Sequence, residues 1–309
     1  MHLSINLSLA QEVEAGLKST LPFISPKFFY DDIGSRLFEV ITLLDEYYPT
    51  RVEKSIMQAH AKDIASAVDS CEVLVDLGAG NCAKAAALFE SLQPKQYCAL
   101  DISKDFLEGA VADLQKRFPQ IEMQARACDL SQPLHLPDLE GKKKTFFYPG
   151  SSIGNFDPRQ ARAFFDNIAV LCGGAGGLLI GVDLVKDSAI LDRAYNDALG
   201  VTAAFNLNAL LHINRVLGSN FVVSDWEHHA IFNETESRIE MYLRALRDVE
   251  LVWPTGVLQF KAGTLIHTEN SYKYTKASFT QMLLDAGFKK TTTWTDDKGY
   301  FLVCYASAA

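Results

Sequence analysis

Between Cys71 and about Val185 the chain alternates short apolar runs with stretches of helix length. Val73–Val75, Tyr97–Leu100, Ile121–Ala127, Thr145–Tyr148 and Leu178–Val185 carry the apolar, β-branched and aromatic side chains of strands. The intervals leave room for helices at Cys82–Ser91, Lys104–Arg117 and Pro158–Leu171. Such a βαβ rhythm predicts an α/β fold with a mostly parallel sheet, joined by right-handed crossovers, whose ligand loops lie at the carboxyl ends of the strands. Further on, Lys276–Gly287 reads as a helix. Thr291–Trp294 and Tyr300–Tyr305, separated by Asp296-Asp297-Lys298-Gly299, then read as a terminal antiparallel hairpin.

The flanking pattern is different. A short amphipathic run at Leu9–Leu17 leads into Phe23–Thr50, which is dense in aromatic residues (Phe28, Phe29, Tyr30, Phe38, Tyr47, Tyr48) without strand alternation. Asp31 to Ser35 predicts a turn and then a short helix, Pro49 an interruption, and Arg51 to about Ser70 one helix. Ser188–Leu217 is helix-rich, Phe221–Phe232 and Arg238–Leu246 are strand-like, and another such run after Val252–Gly256 reaches Ile266. The expected division is therefore a sheet core, 56–187 plus 247–309, and an α+β module built from 1–55 plus 188–246. There is no internal repeat or low-complexity stretch.

Composition narrows the function classes. With 309 residues, 48% of them hydrophobic, the chain has enough apolar mass for a substantial core. The formal net charge of -9 argues against a nonspecific grip on nucleic acid, and Lys142-Lys143-Lys144 reads as a solvated loop before a strand. The six cysteines are scattered, with no C-x-x-C pair, as expected of structural free thiols in a reducing compartment. Without a secretory-type leader or a run of about 20 apolar residues, the chain is expected in the cytoplasm and off the membrane. Seven histidines form no metal-binding pattern; His228 and His229 are merely adjacent, and His267 reads as a satisfied surface histidine.

The first strand runs into Asp76-Leu77-Gly78-Ala79-Gly80-Asn81 and an alanine-rich helix. Gly78 and Gly80 permit a tight turn and close approach of a ligand to the backbone. The glycine pattern alone leaves a nicotinamide cofactor open, although the third position of that fingerprint is Ala83. Asp101, closing the second strand, can accept hydrogen bonds from both hydroxyls of a ribose. Asp129-Leu130 follows the third run, where an adenine edge would be met. Asp76 can orient the turn or face the aminoacyl part of a cofactor. Together with the terminal hairpin, this set resembles the class I S-adenosylmethionine methyltransferases, a Rossmann-like fold, and implies S-adenosyl-L-methionine as cofactor.

At the end of the fourth strand stands Gly150-Ser151-Ser152-Ile153-Gly154-Asn155. This loop, Pro26–Asp31 through Glu46–Arg51, Ala194-Tyr195 with Gly200–Asn206, and Thr268–Lys273 closely resemble the L-histidine Nα-methyltransferases of ergothioneine biosynthesis, over essentially the whole chain. The resemblance implies three successive methyl transfers to the α-amine of histidine, giving hercynine. It also implies that Asn155 and Tyr195 hold the substrate carboxylate, that Tyr47 lies near the amine as the catalytic or positioning group, and that Glu269 and Ser271 read the imidazole. Phe205 becomes an aromatic wall, Tyr30 part of the covering segment, and Asp76, Gly78, Gly80, Asp101, Asp129 and Leu130 the cofactor side. The α+β module then becomes the substrate-binding module, and the chain is expected to act as a monomer.

Elementary chemistry agrees with these roles. Residues two apart on a strand share a face, so Glu269 and Ser271 can meet the two nitrogens of one imidazole, a carboxylate taking N–H and a hydroxyl serving the other. An amine with a reference pKa near 8 must lose its proton before it attacks. Two other readings stay open at this point: methylation of another amino acid such as a tryptophan derivative, and a nicotinamide-dependent oxidoreductase.

Overall fold

The computed structural model of the chain describes residues 2–309, with side chains from residue 9 onward. In chain order the elements are α1 (His2–Leu17), α2 (Asp32–Ile41), α3 (Tyr48–Ala59), α4 (Ala61–Val68), β1 (Val73–Leu77), α5 (Ala83–Ala86), α6 (Phe89–Leu92), β2 (Gln96–Asp101), α7 (Lys104–Arg117), β3 (Glu122–Ala127), β4 (Lys144–Tyr148), α8 (Pro158–Cys172) and β5 (Gly176–Asp183). There follow α9 (Ser188–Tyr195), α10 (Val201–Leu217), β6 (Trp226–Asn233), β7 (Arg238–Ala245), β8 (Val249–Trp253), β9 (Gly256–Phe260), β10 (Leu265–Tyr272), α11 (Lys276–Asp285), β11 (Lys290–Thr295) and β12 (Phe301–Ser307). Among the described residues no helix is long and apolar enough to cross a membrane.

The chain divides into two compact units, residues 49–186 with 272–309 and residues 1–48 with 187–271. In the first, seven strands form one sheet in the order β11-β12-β5-β4-β1-β2-β3. The five strands β5, β4, β1, β2 and β3 run parallel, and β12 inserts antiparallel between β5 and β11. Every residue of β1, β4 and β5 is buried, the signature of strands covered on both faces. Two apolar layers account for this. Phe146, Ile153, Phe165, Leu178 and Phe279 pack on one side, and Leu74, Tyr97, Phe147, Leu179 and Phe301 on the other.

Local chemistry sets the helix ends. Asp157 caps α8 with a reciprocal capping box to Gln160, and Gly173 ends that helix in the left-handed region. Two expected single helices are broken. Arg51–Ser70 divides at His60, and Cys82–Ser91 divides into α5 and α6, with Cys82 itself left-handed at φ 60°. At the far end of β5, the Asp183 carboxylate takes ion pairs from Lys186 (2.6 Å) and Lys273 (3.1 Å), all three side chains buried. Leu184 and Tyr274 bridge beside them.

The second unit is α+β. A three-stranded sheet, β10-β7-β6, and the β8-β9 hairpin pack with α1 and α10 around Leu17, Phe28, Leu210, Trp226, Leu243, Leu251 and Phe260. Its extent differs from the expected boundary at 246, since residues 247–271 belong here and not to the sheet core. The reason is packing. Val249, Leu251 and Trp253 alternate inward along β8, Trp226 meets Phe260 edge-on at 5.5 Å, and β10 pairs beside β7. The other breaks also shift, from 55 to 48 and from 187 to 186.

Candidate active site

The cofactor turn grows out of β1. Leu77 ends a fully buried strand, and Gly78 and Gly80 adopt φ of 72° and 52°, a region that β-carbons disfavour. The Gly78 and Ala79 amides donate to the Leu100 carbonyl at 2.9 and 3.0 Å, and the Gly80 amide donates to Asp101 Oδ2 at 2.9 Å. Asp101 Oδ1 accepts from the Ser103 amide, so this one carboxylate ties the turn to the end of β2. A β-carbon on Gly80 would meet nothing within 4 Å, and one on Gly78 only Leu130 Cδ1 at 3.8 Å. The turn is therefore flanked by open space, which fits a ligand laid against its backbone. Asp129 Oδ1 accepts from the Ser131 amide and hydroxyl at 2.9 and 2.6 Å, shaping the turn after β3.

Asp76 lies deeper than its sequence position suggests. It is 2% exposed, the Tyr97 hydroxyl of the neighbouring strand donates to its Oδ2 at 2.7 Å, and Oδ1 has no hydrogen-bond partner. Burial pushes its carboxyl up to about 7, against the lowering effect of the Tyr97 hydroxyl; Asp101 adds to the rise and Lys84 opposes it.

The loop after β4 opens with two left-handed residues, Gly150 (φ 80°) and Ser151 (φ 62°), followed by a single 3-10 turn at Ser152–Asn155. β4 is the direct neighbour of β1 in the sheet, so parallel pairing brings the loop carrying Asn155 to the same strand ends as the glycine turn. The loop is held twice. Its Gly150 amide donates to Glu53 Oε1 at 2.7 Å, and Ser151 Oγ accepts from the Asp183 amide at 2.9 Å.

In the α+β unit an aromatic chain connects the expected substrate residues. Phe205 on α10 stacks tilted on Phe29 at 4.7 Å and meets Tyr30 edge-on at 5.7 Å. Phe38 touches both Phe205 and Tyr47, and Tyr47 meets Tyr195 at 6.4 Å. Asp31 makes this possible. It caps α2 through the Gly34 amide, accepts from Asn208 Nδ2 of α10 at 2.8 Å and pairs with Arg215, docking α2 on α10. The Tyr195 hydroxyl donates to Ser271 Oγ at 2.8 Å, and Glu269 lies two residues back on the same strand, 8% exposed. Tyr30, Tyr47, Tyr195, Phe205 and Ser271 thus share one connected cluster, with Glu269 adjacent along β10.

Residues that carried no signal in the sequence support this frame. His228 on β6 reaches the Tyr195 carbonyl through Nε2 at 2.9 Å and Asn206 Nδ2 through Nδ1 at 2.8 Å. The carbonyl needs a donor, so Nε2 carries the proton and Nδ1 accepts. Burial lowers the His228 pKa and keeps that neutral form. In the sequence His228 stands out only as the neighbour of His229, in no metal-binding pattern, and nothing local announces a partner on α9. His267 is half-buried, bonded to Asn270 at 2.9 Å, and burial lowers its pKa.

A parallel sheet extended by an antiparallel last strand, with a glycine turn after β1 and a carboxylate closing β2, defines a class I S-adenosylmethionine-dependent methyltransferase. A Pyrococcus horikoshii protein of known structure shares the fold at a TM-score of 0.51 and 13% identity, covering 90% of this chain and 100% of its own. The model of the histidine-specific, S-adenosylmethionine-dependent methyltransferases matches residues 9–308, and the chain belongs to that family. Among its relatives, a histidine N-alpha-methyltransferase of Mycobacterium tuberculosis is 37% identical, covering 96% of this chain and 94% of the relative. Another from Mycolicibacterium smegmatis is 37% identical, covering 95% and 93%. Ergothioneine biosynthesis protein 1 of Neurospora crassa is 32% identical over 88% of this chain, a match that spans 32% of the fungal protein.

Proposed function

We propose that this protein transfers three methyl groups in succession from S-adenosyl-L-methionine to the α-amine of L-histidine, giving hercynine for ergothioneine biosynthesis. Family membership supports the reaction class. The observation that supports the substrate is the pairing on β10 of a buried carboxylate, Glu269, with a buried hydroxyl, Ser271, the latter bonded to Tyr195. A buried carboxylate facing a hydrocarbon-bearing indole would be poorly compensated, whereas an imidazole offers it an N–H.

When bound, the cofactor supplies an electrophilic methyl on a sulfonium. The residues that would hold it are the Gly78–Gly80 backbone, with Asp101 toward the ribose, Asp129 and Leu130 toward the adenine, and Asp76 behind the turn. Tyr195 has one proton. On binding histidine it redirects that proton from Ser271 to the substrate carboxylate, where Asn155 donates as well, and Ser271 is released to serve the imidazole nitrogen opposite Glu269. Tyr47 accepts from or orients the amine, while Phe205 and Tyr30 exclude water. A tyrosine with a reference pKa near 10 is a weak base, so the rate rests mainly on alignment of nitrogen, methyl and sulfur. Aromatic faces also favour the cationic product.

We place the enzyme in the cytoplasm, supported by six free thiols, and as a monomer, which light scattering tests. The deciding experiment incubates purified protein and S-adenosyl-L-methionine with histidine, tryptophan and tyrosine in parallel, and follows additions of one, two and three methyl groups by mass spectrometry. Trimethylated histidine is expected. Methylation of tryptophan or tyrosine alone would overturn the substrate and leave the reaction class standing.

A further inference from the structure

Glu53 on α3 is a buried acidic residue that the mechanism above does not use. It is 2% exposed, in a sheet unit where an uncompensated carboxylate would be expensive. Its two oxygens serve two different segments. Oε2 takes an ion pair from Lys84 Nζ at 2.6 Å, and Lys84 sits in α5, the short helix that follows the glycine turn. Oε1 accepts the Gly150 amide at 2.7 Å, at the first residue of the loop that ends in Asn155.

Two glycines make room for this arrangement. A β-carbon at Gly181 on β5 would stand 2.0 Å from Glu53 Oε1, closer than any real contact. A β-carbon at Gly150 would stand 3.0 Å from Lys84 Nζ. Gly181 lies inside a strand, where no turn or positive φ calls for glycine, and a missing side chain there weakens the strand. The slot for the Glu53 carboxylate, beside the Phe301 ring whose Cε1 would stand 2.9 Å from such a β-carbon, explains it. With Ser151 held from β5 by the Asp183 amide, the loop is fixed from both sides, and Glu53 is the side that also holds the segment after the glycine turn.

We propose that Glu53 is a positioning residue for methyl transfer, setting the loop that presents Asn155 in register with the turn that receives the cofactor. The inference rests on the roles assigned above to Asn155 and to the Gly78–Gly80 turn. Glu53 touches neither ligand and acts through Gly150 and Lys84.

Three substitutions separate this role from general stability. Glu53→Gln keeps an acceptor for the Gly150 amide; Glu53→Leu keeps the volume and removes it; Glu53→Asp keeps the charge but is too short to serve both partners. Each is examined for folding by circular dichroism and thermal unfolding, for S-adenosylhomocysteine binding by calorimetry, and for KM and kcat of the first methyl transfer to histidine. Loss of an acceptor to a buried donor predicts a rise in histidine KM of about tenfold for Glu53→Leu and Glu53→Asp. Glu53→Gln is expected to stay within about threefold of wild type on histidine KM while weakening S-adenosylhomocysteine, because its amide faces the Lys84 ammonium. A folded Glu53→Leu or Glu53→Asp with wild-type KM and kcat overturns the positioning role. Wild-type protein that methylates no histidine overturns the function itself, which is a different result.

Discussion

Asp76→Asn should stabilise this protein at neutral and alkaline pH while weakening its use of the cofactor. The carboxyl is buried at the end of β1, bonded to Tyr97, with one oxygen unpartnered and its pKa raised from 3.8 to about 7. In the unfolded chain the proton leaves near pH 4, and in the folded chain it is kept until about pH 7. Below about pH 4 both states hold it and the group's contribution is fully present. Between those values the unfolded state releases its proton first, so stability falls as pH rises, with a ceiling of about 4 kcal/mol for a rise of this size. Relaxation around the ionised group reduces this to about 1–3 kcal/mol. Asparagine keeps an acceptor for the Tyr97 hydroxyl and cannot ionise. The variant should therefore match wild type near pH 4 and gain over it through the window, by about 2–4 °C in Tm per kcal/mol at pH 8. Thermal unfolding of both proteins from pH 4 to 8, with S-adenosylhomocysteine binding and turnover alongside, measures this. A variant less stable than wild type at pH 8, or a difference that does not change with pH, would refute the reasoning.

Three further outcomes are expected. Glu269→Ala should raise histidine KM by roughly 10–100-fold, the value of a buried charged partner, with S-adenosylhomocysteine affinity unchanged in calorimetry; an unchanged KM would remove Glu269 from the imidazole. Tyr195→Phe deletes the bond to Ser271 as well as a carboxylate donor. It should cost about 0.5–1.5 kcal/mol of stability and weaken histidine about tenfold, and wild-type binding by the folded variant would contradict the assignment. Tyr47→Phe should leave histidine affinity intact and stall after one or two methyl additions by mass spectrometry, whereas unchanged rates at all three steps would exclude a role at the amine.

Much of the sheet unit was legible from local pattern. β1, β2, β4 and β5 fell on the apolar runs, α7 matched Lys104–Arg117, and the terminal hairpin fell where Asp296–Gly299 announced it, because buried parallel strands and tight turns write their requirements into neighbouring residues. The breaks at His60 and between α5 and α6 were not legible, since helical periodicity continues across them. Nor was the membership of residues 247–271, which depends on where Leu251, Trp253 and Phe260 find apolar partners.

The candidate site divides in the same way. Sequence alone determined the glycine turn, the carboxylate closing β2 and the spacing of Glu269 and Ser271, because each is a short-range feature whose geometry follows from backbone conformation and strand period. Tertiary structure alone decided that Asp101 ties the turn through its own carboxylate, that Tyr195 meets Ser271, that His228 holds the Tyr195 carbonyl, and that Glu53 joins Lys84 to Gly150. In each of these the partners are far apart in the chain. A hydrogen bond between distant residues leaves no periodicity in the sequence, and its energy exists only once the packed core has brought donor and acceptor together and excluded water.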